Sequence, residues 1–580
     1  QYHQAAAFGG PTHERVDAHG ISSSDLQISL QIEPLLELPY HDRWWHGCKD
    51  QSQKTRGGQQ MRVLCVWLSG LCGLYGMAAP AAASPMPDAE SAVDAWVSVR
   101  AHIDDASSAS WPEDRPFAVH LILRHDGRPL ASSSGMALPD GQHPVQSAAE
   151  ELRKKALDDS TIRGLPEALQ AEGLRSTTLE LEYSGQPEPL RGATLEQLAA
   201  SLDPARDGIA LRTPDGWHLR FPSQMRMVGS AATTKALQQL AMVAGLKLDK
   251  LESLRRTGAI GVYRFETIDL LQHHADSMPS PYERGQPNRI WSGGRDAIVQ
   301  LTERVGRHLI NRTWSHQTDT HEQIRLGGTY HPARDRSRPI EASQRDQALA
   351  ALALRRLSSI DQLPRSMRKE AAEIADALTN DPQGDGVVAA LNLMQPVEDS
   401  RINHALASTL LGDTTAPLID RAIAAAALRD DPDAAPHIES LLNSMAGKPP
   451  SAWMDVMPWL TWADQHRTSE VAWSETLDLL SEQLRAVSHH PCCPSAVLRP
   501  AAAIPMIAEA SDPTHAAALA LTDRLSLTEE ASVTFLHPER AKGGVTASPW
   551  DERMTIWAQA MAIFLLHDTL QKEQEIRPEP

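Results

Sequence analysis

Between residues 88 and 275 the hydrophobic positions change period again and again; beyond about 290 they keep one period to the end. Ala92–Ile103 sets Val93, Trp96, Val97 and Val99 at helical spacing. Phe117–Leu123 is a dense apolar run that predicts a strand, and the Asp126-Gly127 behind it is a hairpin signal. Val145, Ala148, Ala149, Leu152 and Ala156 fall on one face of a helix over 144–157. From 174 to 183, Thr177, Leu179, Leu181 and Tyr183 alternate with Thr178, Glu180 and Glu182, the pattern of a half-buried strand. A hairpin over 208–221 turns at Asp215-Gly216, a helix over 233–245 stops at Gly245, and Ile260–Phe265 predicts a last strand. Interleaved strands and helices predict an α+β unit with a mixed, partly antiparallel sheet.

After Pro287-Asn288 the pattern is helical alone. Ile298, Leu301, Val305, Leu309 and Ile310 make one face of a helix, and 344–357 repeats the type. Further windows fall at about 366–379, 401–411, 416–428, 436–445, 453–463, 469–486, 499–510, 514–526 and 551–570, joined by short connections such as Asp381-Pro382, Asp431-Pro432 and Asp512-Pro513. Short links make neighbouring helices antiparallel. The expected architecture is an all-α unit, either an α/α-toroid or an open α-solenoid.

One apolar stretch stands outside both patterns. Met61-Arg62 opens a run from Val63 to Ala79, which closes in Ala81-Ala82-Ala83 before Ser84-Pro85. A charged start, an apolar middle and a small-residue exit predict a secretory signal over 61–83, with residues 1–60 an upstream over-extension of the chain start. The other reading is a cytoplasmic tail with a membrane span, for which the run falls short of about 20 residues. The organisation expected is therefore 1–60, the signal at 61–83, an α+β domain over 88–275, a linker over 276–290 and a helical domain over 291–575. No segment after the signal is apolar enough to span a membrane, and the destination expected is periplasmic or secreted.

A formal net charge of −19 argues against a nucleic-acid partner. Of five cysteines only Cys492 and Cys493 follow the signal, so no disulfide framework holds the fold. Aromatics are 5%, while Ala and Leu abound, a composition suited to close helix-on-helix layers and bacterial in character.

Residues 115–250 carry a resemblance. A strand, a Gly turn and an Ala-rich helix lead to Asp158-Asp159, Leu165-Pro166, Leu179-Glu180-Leu181-Glu182 and Pro187-Glu188-Pro189-Leu190. Leu202-Asp203-Pro204, Asp207-Gly208-Ile209-Ala210-Leu211, Phe221-Pro222-Ser223-Gln224 and Ala244-Gly245-Leu246 follow. In that order these blocks resemble the AMMECR family, which implies its fold more than an activity. That family carries Leu-Arg-Gly-Cys-Ile-Gly after the first turn; here the stretch is Leu130-Ala131-Ser132-Ser133-Ser134-Gly135, without the Cys. Farther on, Gly328-Thr329-Tyr330-His331-Pro332-Ala333-Arg334-Asp335 feeding an Ala-Leu helix resembles the loops of terpene-cyclase-like and glycosidase-like toroids. In such folds these loops line the central cleft, which favours the toroid.

Candidate chemistry is sparse. His489, His490, Cys492 and Cys493 are metal-ligand types, but side by side they lack Cys-x-x-Cys spacing, and a Pro-braced loop is the plainer reading. His316, His321-Glu322 and His331 gather near Tyr330 without the spacing of a zinc-protease helix. A glycosidase would need two carboxylates about 5–9.5 Å apart. Asp335, Glu341 and Asp346 near the presumed cleft mouth are the candidates, with Asp551 or Ser548 instead read as capping the last helix. Tyr330 and His331 are candidate binding residues. Trp459 and Trp462 share a helix face, suited to sugar stacking or, more simply, to core packing. No cofactor is expected: there is no phosphate-binding loop, no dinucleotide fingerprint and no Gly-x-Ser-x-Gly elbow.

These observations predict an exported envelope protein that binds a glycan or peptide across a helical cleft without strong catalytic machinery. The alternatives are a carbohydrate-active hydrolase or lyase using cleft carboxylates, and a helical scaffold for protein partners.

Overall fold

The structure is a computed structural model. It describes residues 87–576 apart from 108, 138–140, 204–205, 228–232, 284–285, 288–290, 292, 318–321, 380–383, 396–400, 447, 450–452, 466–472, 490–493, 510–511 and 549–550. The upstream segment and the signal at 61–83 lie outside the described residues. Nine strands make the first sheet: β1 (Ala118–His125), β2 (Arg128–Met136), β3 (Thr178–Ser184), β4 (Glu188–Pro189), β5 (Asp207–Thr213), β6 (Gly216–Arg220), β7 (Gly261–Leu271), β8 (Ser280–Glu283) and β9 (Gln286–Pro287). Its main path runs β2-β1-β3-β7-β5-β6, with β4 and β8 also on β7 and β9 on β8. The expected sheet is mixed; every strand pair described is antiparallel, and the sheet forms a half-barrel. Ile260–Phe265 is not the last strand either: it lengthens into β7, the most heavily paired member.

Asp126 and Gly127 take positive φ of 49° and 76°, the twist a two-residue hairpin needs between β1 and β2. A side chain on Gly127 would also strike the Phe535 carbonyl, so only glycine fits there. The helices Ala89–Asp104 and Pro144–Asp158 cover one face of the sheet, burying Val119, Leu121, Leu123, Leu179, Leu181 and Tyr183. Asp88 caps the first helix by accepting from Ser91 N at 2.8 Å. Arg100 ties the same helix to the sheet edge through the Thr177 and Leu174 carbonyls, each at 3.0 Å. A second small core, around Leu198, Ile209, Leu237 and Leu240, joins Leu195–Ala200 and Thr233–Val243 to the far end of the sheet.

The opposite face departs from the alternation reading. Glu180 and Glu182, expected on a solvent face, are 3% and 0% exposed. Strand pairing sets His120 beside Glu182 and Glu182 beside Asp269, and all three are buried. Phe221 and Phe265 cover this side.

The rest of the chain is largely helical and has one continuous apolar core. It is not all-α. Two hairpins interrupt it, β10 (Thr313–Gln317) with β11 (Glu322–Leu326), and β12 (Thr329–His331) with β13 (Arg336–Arg338). Their strands are too short and too polar for a period-2 signal. The window at 499–510 divides into Pro494–Ala501 and Ile504–Ile507, with Pro500 and Pro505 among the causes. The last helix is Ile556–Ile576, capped by Thr555, which accepts from Ala558 N at 3.1 Å; Asp551 instead bonds Arg553. Two helices run through the interior: residues 348–354 and 560–566 are at most 2% exposed at every position. A helix apolar on all sides needs neighbours on all sides. Gln344–Ser358 accordingly meets Arg365–Thr379, Gly386–Leu393 and Ile556–Ile576.

Between the two parts lies an arm, about 527–545, carrying the short helices Glu529–Ser532 and Pro538–Ala541. It bonds the half-barrel twice: Arg124 donates to the Thr534 carbonyl at 3.1 Å, and Tyr282 Oη to the Glu530 carbonyl at 2.9 Å. Among the described residues no helix is long and apolar enough to cross a membrane.

Candidate functional site

At one end of the helical core five side chains converge from five segments. Arg345 stands in the first turn of Gln344–Ser358, and Asp420 in that of Leu418–Ala427. Asp455 lies in the 3₁₀ turn Met454–Val456 that leads into Met457–Asp464. Trp557 opens Ile556–Ile576, and Arg499 closes Pro494–Ala501. Four of the five stand at helix starts. All five are half-buried, so solvent reaches them without surrounding them.

Arg345 bonds Asp420 at 2.6 Å, and its guanidinium carbon sits 5.7 Å from the Trp557 ring centre. Arg499 lies 5.1 Å from the same ring. Both are within cation–π range. Arg499 differs from Arg345 in having neither an ion-pair nor a hydrogen-bond partner among the described residues. Burial draws its pKa down, and only the nearby Asp455 charge opposes that. Asp455 in turn is pushed up by burial and held back by Arg499. It too makes no hydrogen bond to a described residue. A half-buried guanidinium without an acceptor and a carboxyl without a donor, both reached by solvent, are free to pair with a ligand.

Beneath this mouth runs an aromatic ladder. Trp557 meets Trp459 at 6.4 Å, Trp459 meets Trp462 at 5.0 Å, and Trp462 meets Phe564 at 5.3 Å, all edge to face. Arg356 ends the ladder, 3.9 Å from the Trp462 ring and 2.8 Å from Asp568. Burial raises the Asp568 pKa, but Arg356 and His567 overcome it and hold the carboxyl below its ordinary value. Trp459 and Trp462 are 0% and 2% exposed, so they are rungs of the core and present no face for stacking a sugar.

The loop candidates gather elsewhere. Tyr330 donates its hydroxyl to Asp335 at 2.9 Å, and its backbone pairs with Met554 in both directions. Burial, then Asp335, push the Tyr330 phenol upward, so it keeps its proton and stays a donor. Asp335 sits at φ 44° and also takes His537 at 3.1 Å and Arg540 at 3.0 Å. This carboxylate pins the arm to the β12–β13 hairpin. His331 is driven down to about 4 by burial, with Arg553 and Arg334 adding to it, and is neutral at physiological pH. Glu341 bonds Arg325 at 2.6 Å. Asp335 and Glu341 thus sit in separate ion pairs with no shared partner. His490, Cys492 and Cys493 lie outside the described residues, as do the side chains of His489 and His316 and all of His321. Among the described residues no cluster of three or more metal-ligand types occurs.

Arg345, Arg499, Asp455 and Trp557 were not legible as a site. Arg345 is the neighbour of Asp346, and its partners come from segments 75 to 212 residues away. A second polar centre was also missed, on the sheet. Ser134 Oγ meets His120 Nδ1 at 2.8 Å, His120 stacks on Phe221 at 5.3 Å, and Arg124 bonds Glu180 at 2.8 Å. Glu182 accepts from both the backbone N–H and the hydroxyl of Ser223. Burial brings His120 down to about 4, against the pull of Glu180, so the imidazole is neutral. The available signal was His120, Arg124, Glu180 and Glu182 recurring at every second position of otherwise apolar strands.

No protein-family model matches this chain, and no curated protein matches it. Among solved structures it is similar to an uncharacterized protein, PH0010, from Pyrococcus horikoshii. The identity is 15% and the TM-score 0.25, over 33% of this chain and 95% of that one.

Proposed function

We propose that this chain is an exported, periplasmic or secreted protein that binds a glycan or peptide at the Arg345–Arg499–Trp557 mouth. The half-barrel part is read as AMMECR-like and the helical part as an α/α-toroid whose helix-start loops line the ligand site. The observation that carries the reading is Arg499: a half-buried cation against the Trp557 ring that has no acceptor among the described residues and that solvent can reach. A ligand with an anionic group can displace water from this guanidinium and pair with it. The filled core below leaves the mouth as the place for that ligand.

The test is a glycan and peptide binding screen on the chain from Ser84 onward, followed by calorimetry on the hits. The reading expects a saturable ligand whose affinity falls in Trp557→Ala. Saturable binding that Trp557→Ala leaves untouched would overturn the placement of the site, and an absence of ligands would overturn the role.

A second reading, a carbohydrate-active hydrolase, is favoured by one observation. Asp455 is a carboxyl pushed upward by burial, and the ion-paired Asp420 lies at the same mouth. Paired carboxyls in unlike environments can divide acid and base roles. Turnover of any polymer that vanishes in Asp455→Asn would establish this reading; no turnover across the screen would remove it.

A further inference from the structure

The mouth has an unused donor set and an unused acceptor set side by side, and this narrows what it can hold. Arg499 offers a planar fork of N–H groups that no described residue accepts. Arg345 spends part of its fork on Asp420, and its Nε is buried without a partner. Asp455 offers carboxylate oxygens to which no described residue donates. A ligand that satisfies all of these brings an oxyanion and, next to it, a hydroxyl. Trp557 lies against both guanidiniums, which fixes their planes and removes much of the entropy cost of holding them.

Charge decides which oxyanion. The four charged groups, Arg345, Arg499, Asp420 and Asp455, sum to zero. A dianionic phosphate would meet two fixed carboxylates with no excess positive charge, whereas a single carboxylate needs only the free fork of Arg499. The acceptor set decides between macromolecules. An acidic peptide side chain brings a carboxylate with no hydroxyl near it, whereas a sugar acid carries both on one ring. We infer that the mouth binds a uronic-acid unit of an acidic glycan, its carboxylate on Arg499 and a neighbouring hydroxyl on Asp455. This inference rests on the ligand-binding reading of the same mouth.

The experiment is isothermal calorimetry on the chain from Ser84 onward at low and at moderate salt. Four probes are compared: an oligogalacturonate, a neutral oligosaccharide of equal length, an oligoglutamate peptide and inorganic phosphate. The oligogalacturonate is expected to bind at least about tenfold more tightly than the neutral oligomer, the worth of one charge-assisted pair. Arg499→Gln should lose about that factor, Arg499→Lys should not restore it because the planar fork is gone, and Asp455→Ala should weaken binding further. Unchanged melting temperatures, or higher ones for the Arg499 variants, show that a lost affinity is not a lost fold. Equal affinity for acidic and neutral oligomers, insensitive to Arg499→Gln, would overturn the uronate assignment and leave the ligand-binding role standing. Tighter binding of oligoglutamate or of phosphate would overturn it in favour of an acidic peptide or a phosphorylated ligand. No binding of any probe by a folded chain would overturn both readings.

Discussion

The two parts of this molecule distribute their charges differently. The half-barrel carries them inside: Arg124 on Glu180, Glu182 on Ser223, and His120 against Phe221, all on one buried sheet face. The helical part fills its core mainly with Ala, Leu and Trp, buries a few paired groups such as Arg312 on the Met554 and Gly327 carbonyls, and sets further charges at the two ends of an aromatic ladder, Arg356 with Asp568 at one end and Arg345 and Arg499 at the other. A sheet buried on both faces has no solvent-facing side to spare, so a polar residue at any second position becomes interior and must find a partner. A helix can turn its polar residues to a terminus. Buried charge is thus paired in both parts, and of the two ends of the ladder only the Trp557 end holds a half-buried cation without a partner among the described residues.

The sharpest way to break the contrast is to attack each interior on its own terms. Trp459→Ala removes a fully buried rung that touches Trp462, Trp557 and Phe564, and should cost about 3–5 kcal/mol in denaturant unfolding. Arg124→Ala should cost a similar about 3–5 kcal/mol in the half-barrel by stripping Glu180 of its cation. If the sheet interior is a satisfied polar network, the pair Arg124→Met with Glu180→Leu should recover most of that loss. A double variant as poor as the single would show that the charges are needed for shape.

Acid sharpens the comparison next. His120 and His515 are held near 4 by burial in one part and the other, and His308 near 3. Their folded pKa values lie below the ordinary 6.5, so the unfolded chain takes up protons first as pH falls. The stability they contribute is complete above about pH 6.5 and drains away toward pH 4, about 2 kcal/mol apiece by pH 5. Asp207 works in reverse. Burial raises it to about 6, so its contribution is greatest below pH 4 and is lost as pH rises through 6. Thermal melts at pH 7 and pH 5 should show a clear drop, and His515→Gln should flatten it; an unchanged slope would refute the assignment. The smallest effect has the opposite sign. Arg499→Met removes an unsatisfied cation and should raise stability by about 1–2 kcal/mol while weakening ligand binding. A fall in melting temperature would mean that Arg499 is structural.

Much of the fold was legible along the chain, and particular residues show where legibility ended. Asp126-Gly127, the 144–158 face and the long helices declared themselves because each signal is local. Glu180 and Glu182 misled because alternation states which residues share a face and is silent on what covers that face. The hairpins over 313–338 were invisible because strands of three to five residues carry too few repeats of the period. The candidate site was not legible. None of Arg345, Asp420, Asp455 and Trp557 was among the expected residues, because their convergence depends on how the helices pack. Tyr330 and Asp335 did come together, as a latch on the arm.

That latch has a consequence for how the chain matures. Arg124 closes on a carbonyl 410 positions later, and the β1–β2 turn rests on Phe535. The half-barrel's first hairpin lies some 410 positions ahead of the arm residues that complete it. Until they arrive its turn stays bare and its buried arginine lacks one acceptor. The sheet is thus a structure completed by a segment far along the chain.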